Sequence, residues 1–326
     1  MPKVLHIGPC DTPGGMANVM RTLAEYPPEG WEAELLSSHT VGSPWAKWKA
    51  YRRARKELIR RCNSEHERPD VVHIHTAADW SWRRKARFLS YAQKQNMACV
   101  VHVHSGKFDS WLGLPSSRRS KSIRRHLSHD KTRTVVLTDE WKNRLGEHFE
   151  NIVSVSNPLD PTIINTQKQR DKVHLLLMGR NDPVKGHAFA IQVAKAMKTT
   201  HPDLQLTMTG ANQDSESWIH AKGWVTDSEK RHLLETASIL LLPSKHEGQP
   251  MVVIEALGSG LPVLAHEHLH SLPLQVTTAE PSVAAWCAQL SKMIESPQEI
   301  VFSPGKHDIS NVQQRWVATY RSCLQD

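Results

Sequence analysis

Two glutamates, Glu247 and Glu255, bracket the segment EGQPMVVIE, and their setting suggests a chemistry. Glu247 stands before a Gly-Gln-Pro turn, and Pro250 suits the first position of an apolar helix running to about Gly258, where a missing N–H costs nothing. The unpaired amides of such a helix start favour an anion, a phosphate above all. One acid in the turn and one in the second turn of the helix can grip hydroxyls on either side of a bound diphosphate, an arrangement that suits a nucleotide-sugar. Two further patterns carry reactive side chains. His73 and His75 alternate onto one face of a strand in VVHIHT, as His102 and His104 do in VVHVHSG. Such pairs can ligate zinc, but no third ligand follows in a fixed local pattern, so no metal is expected. Packed structural histidines read equally well at His73 and His102.

These residues need a scaffold, and 326 residues are enough for two domains. Short aliphatic runs alternate with helical segments, the pattern of stacked βα units and parallel sheets, and the pattern occurs twice. The first set comprises KVLHIG, AELLSS, DVVHIHT, ACVVHVHS, RTVVLTD and NIVSVSN; the second comprises KVHLLLMG, LQLTMTG, SILLLPS and LPVLAHE. A polar, proline-containing stretch separates them. The expected organisation is an N-terminal Rossmann-like domain over 1–157, a linker over 158–171, a second Rossmann-like domain over 172–308 and a helix over 309–326 that crosses back to the first. Ligands of doubly wound sheets bind at the carboxyl ends of the strands, so two such domains facing a central cleft would share one site. Gly14 and Gly15 end the first βα loop and let the backbone approach a ligand. That loop lacks a G-x-G-x-x-G fingerprint, which disfavours a dehydrogenase.

Composition narrows the classes further. The five cysteines are scattered without a C-x-x-C pair, as expected of reduced thiols in a cytoplasmic protein. Neither a signal peptide nor a membrane-spanning segment is expected. Lys and Arg exceed Asp and Glu by 41 − 33 = 8, with the excess in the first half, so an anionic partner is implied. The tryptophans accompanying these cations form no recognised nucleic-acid-binding motif, and no nucleic acid is expected.

The segment HEGQPMVVIEALGSGLPV, together with GRNDPVKG after the first strand of the second domain, resembles the retaining glycosyltransferases of family four, and the likeness extends over nearly the whole chain. It implies an α/β GT-B fold and a metal-independent, hexosyltransferase-type enzyme that takes sugar from a UDP- or GDP-sugar without a further cofactor. On this resemblance Glu247 contacts the transferred sugar, Gly248, Gln249, Pro250 and Met251 lie close to sugar or phosphate, and Glu255 holds the ribose hydroxyls. Arg180 and Lys185 neutralise the departing diphosphate, and His104 is the histidine that contacts the sugar. The acceptor side falls to the first domain, with a glycan or a lipid-linked acceptor in polysaccharide or glycolipid synthesis. After LPVLA the chain departs from many relatives, with HEHLHSLPLQVTT in place of a glycine-rich turn, which leaves donor choice open. A phosphorylase or sugar-nucleotide epimerase of the same fold is the alternative enzyme, and a catalytically silent partner subunit the alternative non-enzyme.

Within Trp45 to Arg61, Trp45, Trp48 and Tyr51 recur every three residues among Lys47, Lys49, Arg52, Arg53, Arg55, Lys56, Arg60 and Arg61. This is the composition of a helix lying on an anionic membrane surface, and it predicts peripheral attachment at the cytoplasmic face. A solvated helix with its aromatics packed inward is the other reading.

Overall fold

The computed structural model describes residues 1–166, 170–171, 173–212, 216–270 and 272–325. The chain divides into two compact units, Met1–Pro158 with Lys306–Asp326, and Leu159–Gly305.

The first unit is built on a six-stranded parallel sheet in the order β2-β1-β3-β4-β5-β6. Its strands are β1 (Lys3–Gly8), β2 (Glu32–Ser37), β3 (Val71–Thr76), β4 (Ala98–Val103), β5 (Thr132–Val136) and β6 (Ile152–Ser154). Between them run α1 (Gly15–Glu25), α2 (Pro44–Cys62), α3 (Trp80–Lys94), α4 (Phe108–Leu112), α5 (Arg118–Leu127) and α6 (Asp139–Gly146). Every residue of β3 and β4 is buried, as parallel strands covered on both faces require. Ile74, Val101, Leu58, Phe88 and Trp141 belong to one apolar core.

The second unit repeats the plan in the order β12-β11-β10-β7-β8-β9. It comprises β7 (His174–Leu177), α7 (His187–Lys198), β8 (Gln205–Met208), β9 (Ile219–Ala221), α8 (Asp227–Thr236), β10 (Ile239–Leu242), α9 (Met251–Gly258), β11 (Val263–His266), β12 (Thr277–Ala279) and α10 (Val283–Glu295). One core packs α8 and α9 on the sheet through Leu234, Ile254 and Leu257, and a second packs α7 and α10 through Val193, Trp286 and Leu290. The sheet is thus doubly wound. The strands β9 and β12 have no counterpart in the sequence reading, because three residues at a sheet edge make no apolar run.

The final helix, α11 (Ile309–Leu324), belongs to the first unit and packs on β3, β4 and β5. Gln313 Nε2 donates to the Tyr26 and Pro27 carbonyls, and Arg133 donates to the Ser322 carbonyl at 2.6 Å. The chain passes to this unit at Lys306, a little before the expected domain end at 308, where the buried His307 ring donates through Nδ1 to the Asn157 carbonyl at 2.8 Å. The stretch expected as a linker, 158–171, contributes Leu159 and Ile163 to the second unit's core. Residues 167–169 of that stretch, Lys172 at the expected start of the second domain, and Asp326 lie outside the described residues.

Candidate functional site

In the second unit the loops following β7 and β10 are stitched together by backbone. The Lys245 N–H donates to the Val184 carbonyl at 2.8 Å. Gly186 permits this approach: its φ is +76°, and a Cβ there would meet the Pro243 carbonyl oxygen at 2.3 Å. The result is that Lys185, from one loop, reaches Glu247, from the other, with Nζ 2.6 Å from Oε1. Both side chains are largely buried, and of the three donors of the ammonium this bond occupies one. Arg180 is exposed on the same loop as Lys185, its Nε 3.5 Å from Asp182 Oδ2.

The chain then turns through Gly248 and the buried Gln249 and Pro250 into α9. Pro250 occupies the N-cap position, one residue earlier than expected, and the half-buried Met251 opens the helix. Its extended conformation, φ −71° and ψ 109°, explains the shift, since a residue at that ψ has not entered the helix. Glu255, in the second turn of α9, is buried and accepts from Lys230 Nζ on α8 at 3.0 Å. Lys230 was not singled out from sequence. It lies 25 residues from Glu255, on a helix whose own signal is only the Thr226–Glu229 capping box. The second unit therefore carries two acid–ammonium pairs, Glu247–Lys185 and Glu255–Lys230, beside the start of α9.

In the first unit, Gly14 has φ 130° and precedes α1, which Gly15 opens. His104 follows β4 and is partly exposed. It does not act alone: His6, His75 and His104 form a row in which His6 Nδ1 shares a hydrogen bond with His75 Nε2, and His75 Nδ1 shares another with His104 Nε2, each 3.0 Å long. His73 shares hydrogen bonds with His102 at 3.3 Å and with Tyr320 of α11 at 2.9 Å. The third histidine that the sequence pattern did not supply comes from neighbouring strands: His6, His73 and His75, and likewise His75, His102 and His104, bring ring nitrogens within 4.8 Å of one another. Most of these nitrogens already bond to one another or to Tyr320. Burial drives His6 and His104 down to about 3, and burial with the neighbouring rings takes His73 and His75 well below the usual range. The row is neutral at ordinary pH.

Along α2 the structure divides the expected basic face. Trp45 and Trp48 are exposed and stacked at 4.7 Å, but Tyr51 is buried edge-on against Phe88 at 5.4 Å and cannot serve as a surface anchor. Arg60 and Arg61 are engaged by Glu57, with Glu67 and Glu34 as further partners. Arg52, Arg55 and Lys56 instead line a groove of about 510 Å³ between α2 and α3, joined from α3 by Arg87 and Lys94. Among the described residues, no helix is long and apolar enough to cross a membrane.

Residues 172–295 match the family model described as glycosyl transferases group 1, and residues 28–163 match that of glycosyltransferase family 4. The chain is 24% identical over 263 residues to glycogen synthase from Mycobacterium tuberculosis, covering 71% of this chain and 61% of that protein. It is 28% identical over 173 residues to the amylovoran biosynthesis glycosyltransferase AmsK of Erwinia amylovora, covering 45% of this chain and 41% of that one. Sucrose-phosphate synthase from Thermosynechococcus elongatus superposes with a TM-score of 0.66 at 14% identity, over 100% of this chain and 97% of that one. The chain spans less than two thirds of the length of the glycogen synthase it matches.

Proposed function

The chain belongs to the group 1 glycosyltransferases and has their GT-B fold, and on that premise we propose that it moves a sugar from a nucleoside-diphosphate sugar to an acceptor hydroxyl with retention of configuration. The observation that carries this reading is the Lys185–Glu247 pair at the junction of two loops beside the start of α9. Glu247 receives a hydroxyl of the transferred sugar. Lys185 keeps two donors for the diphosphate, Arg180 adds a second cation, and the first amides of α9 add a third source of positive potential. The bond between the anomeric carbon and the phosphate oxygen breaks with its electron pair passing to the phosphate. The acceptor oxygen bonds to the same face of that carbon, and its proton leaves to the departing phosphate. No protein nucleophile or metal is required by this sequence. Glu255, held by Lys230, receives the ribose hydroxyls, and His104 offers one ring nitrogen to the sugar.

Substitution of the two acids tests the assignment. Glu247→Gln lowers turnover with donor affinity nearly retained, while Glu255→Gln weakens donor binding and leaves turnover at saturation. Equal effects of both on binding and turnover would remove the division of roles, and nucleoside diphosphate release that ignores the acceptor would favour hydrolysis over transfer.

The groove between α2 and α3 supports a place of work for this enzyme on an anionic membrane surface, with a lipid-linked or growing polysaccharide as acceptor. Five cations line it without a carboxylate, and the exposed Trp45–Trp48 stack adjoins it through Trp48. Vesicle cosedimentation that needs anionic lipid and weakens with salt is the expected result.

A further inference from the structure

The basic run Arg83-Arg84-Lys85 on α3 has one member turned inward: Lys85 is only 2% exposed. Its ammonium donates to Ser38 Oγ, which in turn donates to the Gly8 carbonyl at 3.1 Å, and it lies 6.0 Å from the centre of the Phe88 ring. Among the described residues no carboxylate pairs with it. An ammonium buried without an anion carries a heavy desolvation cost, and burial, with the Arg84 charge second, brings this amine down to about 7.

His39, the residue after Ser38 in the loop following β2, lies within reach of the charges of Lys85 and of its neighbour Arg84 on α3. Arg84 Nε and His39 Nδ1 are both buried nitrogens without a hydrogen-bond partner among the described residues. Lys47, at the start of α2, adds its charge to the surroundings of His39. The acid on the adjoining loop, Asp11, is exposed and accepts from the Cys10 thiol at 3.7 Å. Gly8 and Ser38 stand at the carboxyl ends of β1 and β2, beside the loop that holds Gly14 and Gly15. Sheets of this kind bind ligands at that edge.

We propose that Lys85, Arg84 and His39 form an oxyanion site at the carboxyl edge of the first unit's sheet, and that it takes a phosphate or carboxylate carried by the acceptor. One oxyanion supplies what the cluster lacks, a negative charge for the two cations, an acceptor oxygen for Arg84 Nε–H, and a partner for His39 Nδ1 in the tautomer that carries its proton there. The naming of the acceptor rests on the transferase reading; the oxyanion site itself does not.

Binding is measured with inorganic phosphate and with glucuronate on the full chain carrying Arg180→Ala and Lys185→Ala, so that the diphosphate loop of the second unit is silent. Phosphate or glucuronate raises the unfolding midpoint of this parent, the stronger of the two identifying the acceptor's anion. Lys85→Met abolishes the rise, and without ligand it melts no lower than the parent, since a buried unpaired charge has gone. A rise undiminished in Lys85→Met overturns the site. Should Lys85→Met fail to fold, the partly exposed Arg84→Gln decides: at least a fivefold weaker affinity supports the site, and unchanged affinity overturns it. In transfer assays of the wild-type chain, inhibition by the same anion that competes with the acceptor and fades in Arg84→Gln supports the acceptor assignment. Competition with the donor alone overturns that assignment while leaving the transferase reading intact.

Discussion

His6, His73, His75 and His102 are buried in the first unit as neutral rings that bond to one another, whereas Glu255 is buried in the second as an ion against Lys230. The same problem, a polar group taken out of water, is met in one case by giving up charge and in the other by pairing it. The consequence for function differs accordingly. A row of neutral imidazoles passes on orientation and tautomer, since each ring has one N–H to give and one lone pair to offer, and His104 inherits its orientation from His75. Paired ions hold a field in place, and a reaction that releases a diphosphate draws on that field. On the proposed reading, the histidine row shapes the site and the acid–ammonium pairs polarise it.

The largest expected effect tests the polarising half. Lys185→Ala removes a cation from the proposed leaving-group site and leaves Glu247 unpaired, and turnover falls by about 10²–10³, the range seen for loss of one preorganised donor. Initial rates of nucleoside diphosphate release at saturating donor measure it, and a rate within twofold of wild type would show that charge is not what this unit contributes. Lys230→Met comes next. It strands a buried carboxylate, and denaturant unfolding should show a loss of about 3 kcal/mol. Lys230→Met with Glu255→Leu recovers most of that stability but not donor affinity, which separates what the pair does for the fold from what it does for the ligand.

Acidification tests the neutral half. Rings that ionise near 6.5 in the unfolded chain resist protonation in the fold until about 3 at His6 and His104. Between those values the unfolded state binds more protons, so stability is fully present above 6.5 and is lost as pH falls through that window. For a fully buried ring such as His6, the step from pH 6.5 to 5.5 costs about 1 kcal/mol. Hydrogen exchange should place the loss in β1, β3 and β4, and exchange that loosens first in the second unit's sheet would break the comparison. The smallest effect belongs to the groove: Arg87→Gln, on α3 and outside the aromatic helix, weakens vesicle binding by about 1 kcal/mol, roughly fivefold, with transfer to a soluble acceptor unchanged. Undiminished vesicle binding would return the membrane contact to α2 alone.

The parts of this molecule that could be read from sequence are those written in contiguous residues. VVHIHT and VVHVHS read as strands of a parallel sheet because short β-branched runs alternate with helical segments, and the Glu247-to-Glu255 spacing sits within one turn and one helix. What could not be read was made by tertiary contact. Lys185 and Glu247 were each visible as residue types, but their meeting depends on the backbone bond between Lys245 and Val184. Tyr51 follows the spacing of Trp45 and Trp48 yet faces Phe88, because helical phase turns it toward α3. Lys85 looks like one more cation in a basic run, and only its contact with Ser38 sets it apart.

The return of α11 to the first unit has a consequence in time as well as in space. A chain emerging from a ribosome presents β3 and β4 early, but Trp316 and Tyr320, which cover His73, arrive only after the whole of Leu159–Gly305 has been made. The second unit, continuous in sequence, can fold while the first still waits for its last helix. His73 therefore gains the cover of Trp316 and Tyr320 only when α11 has been made.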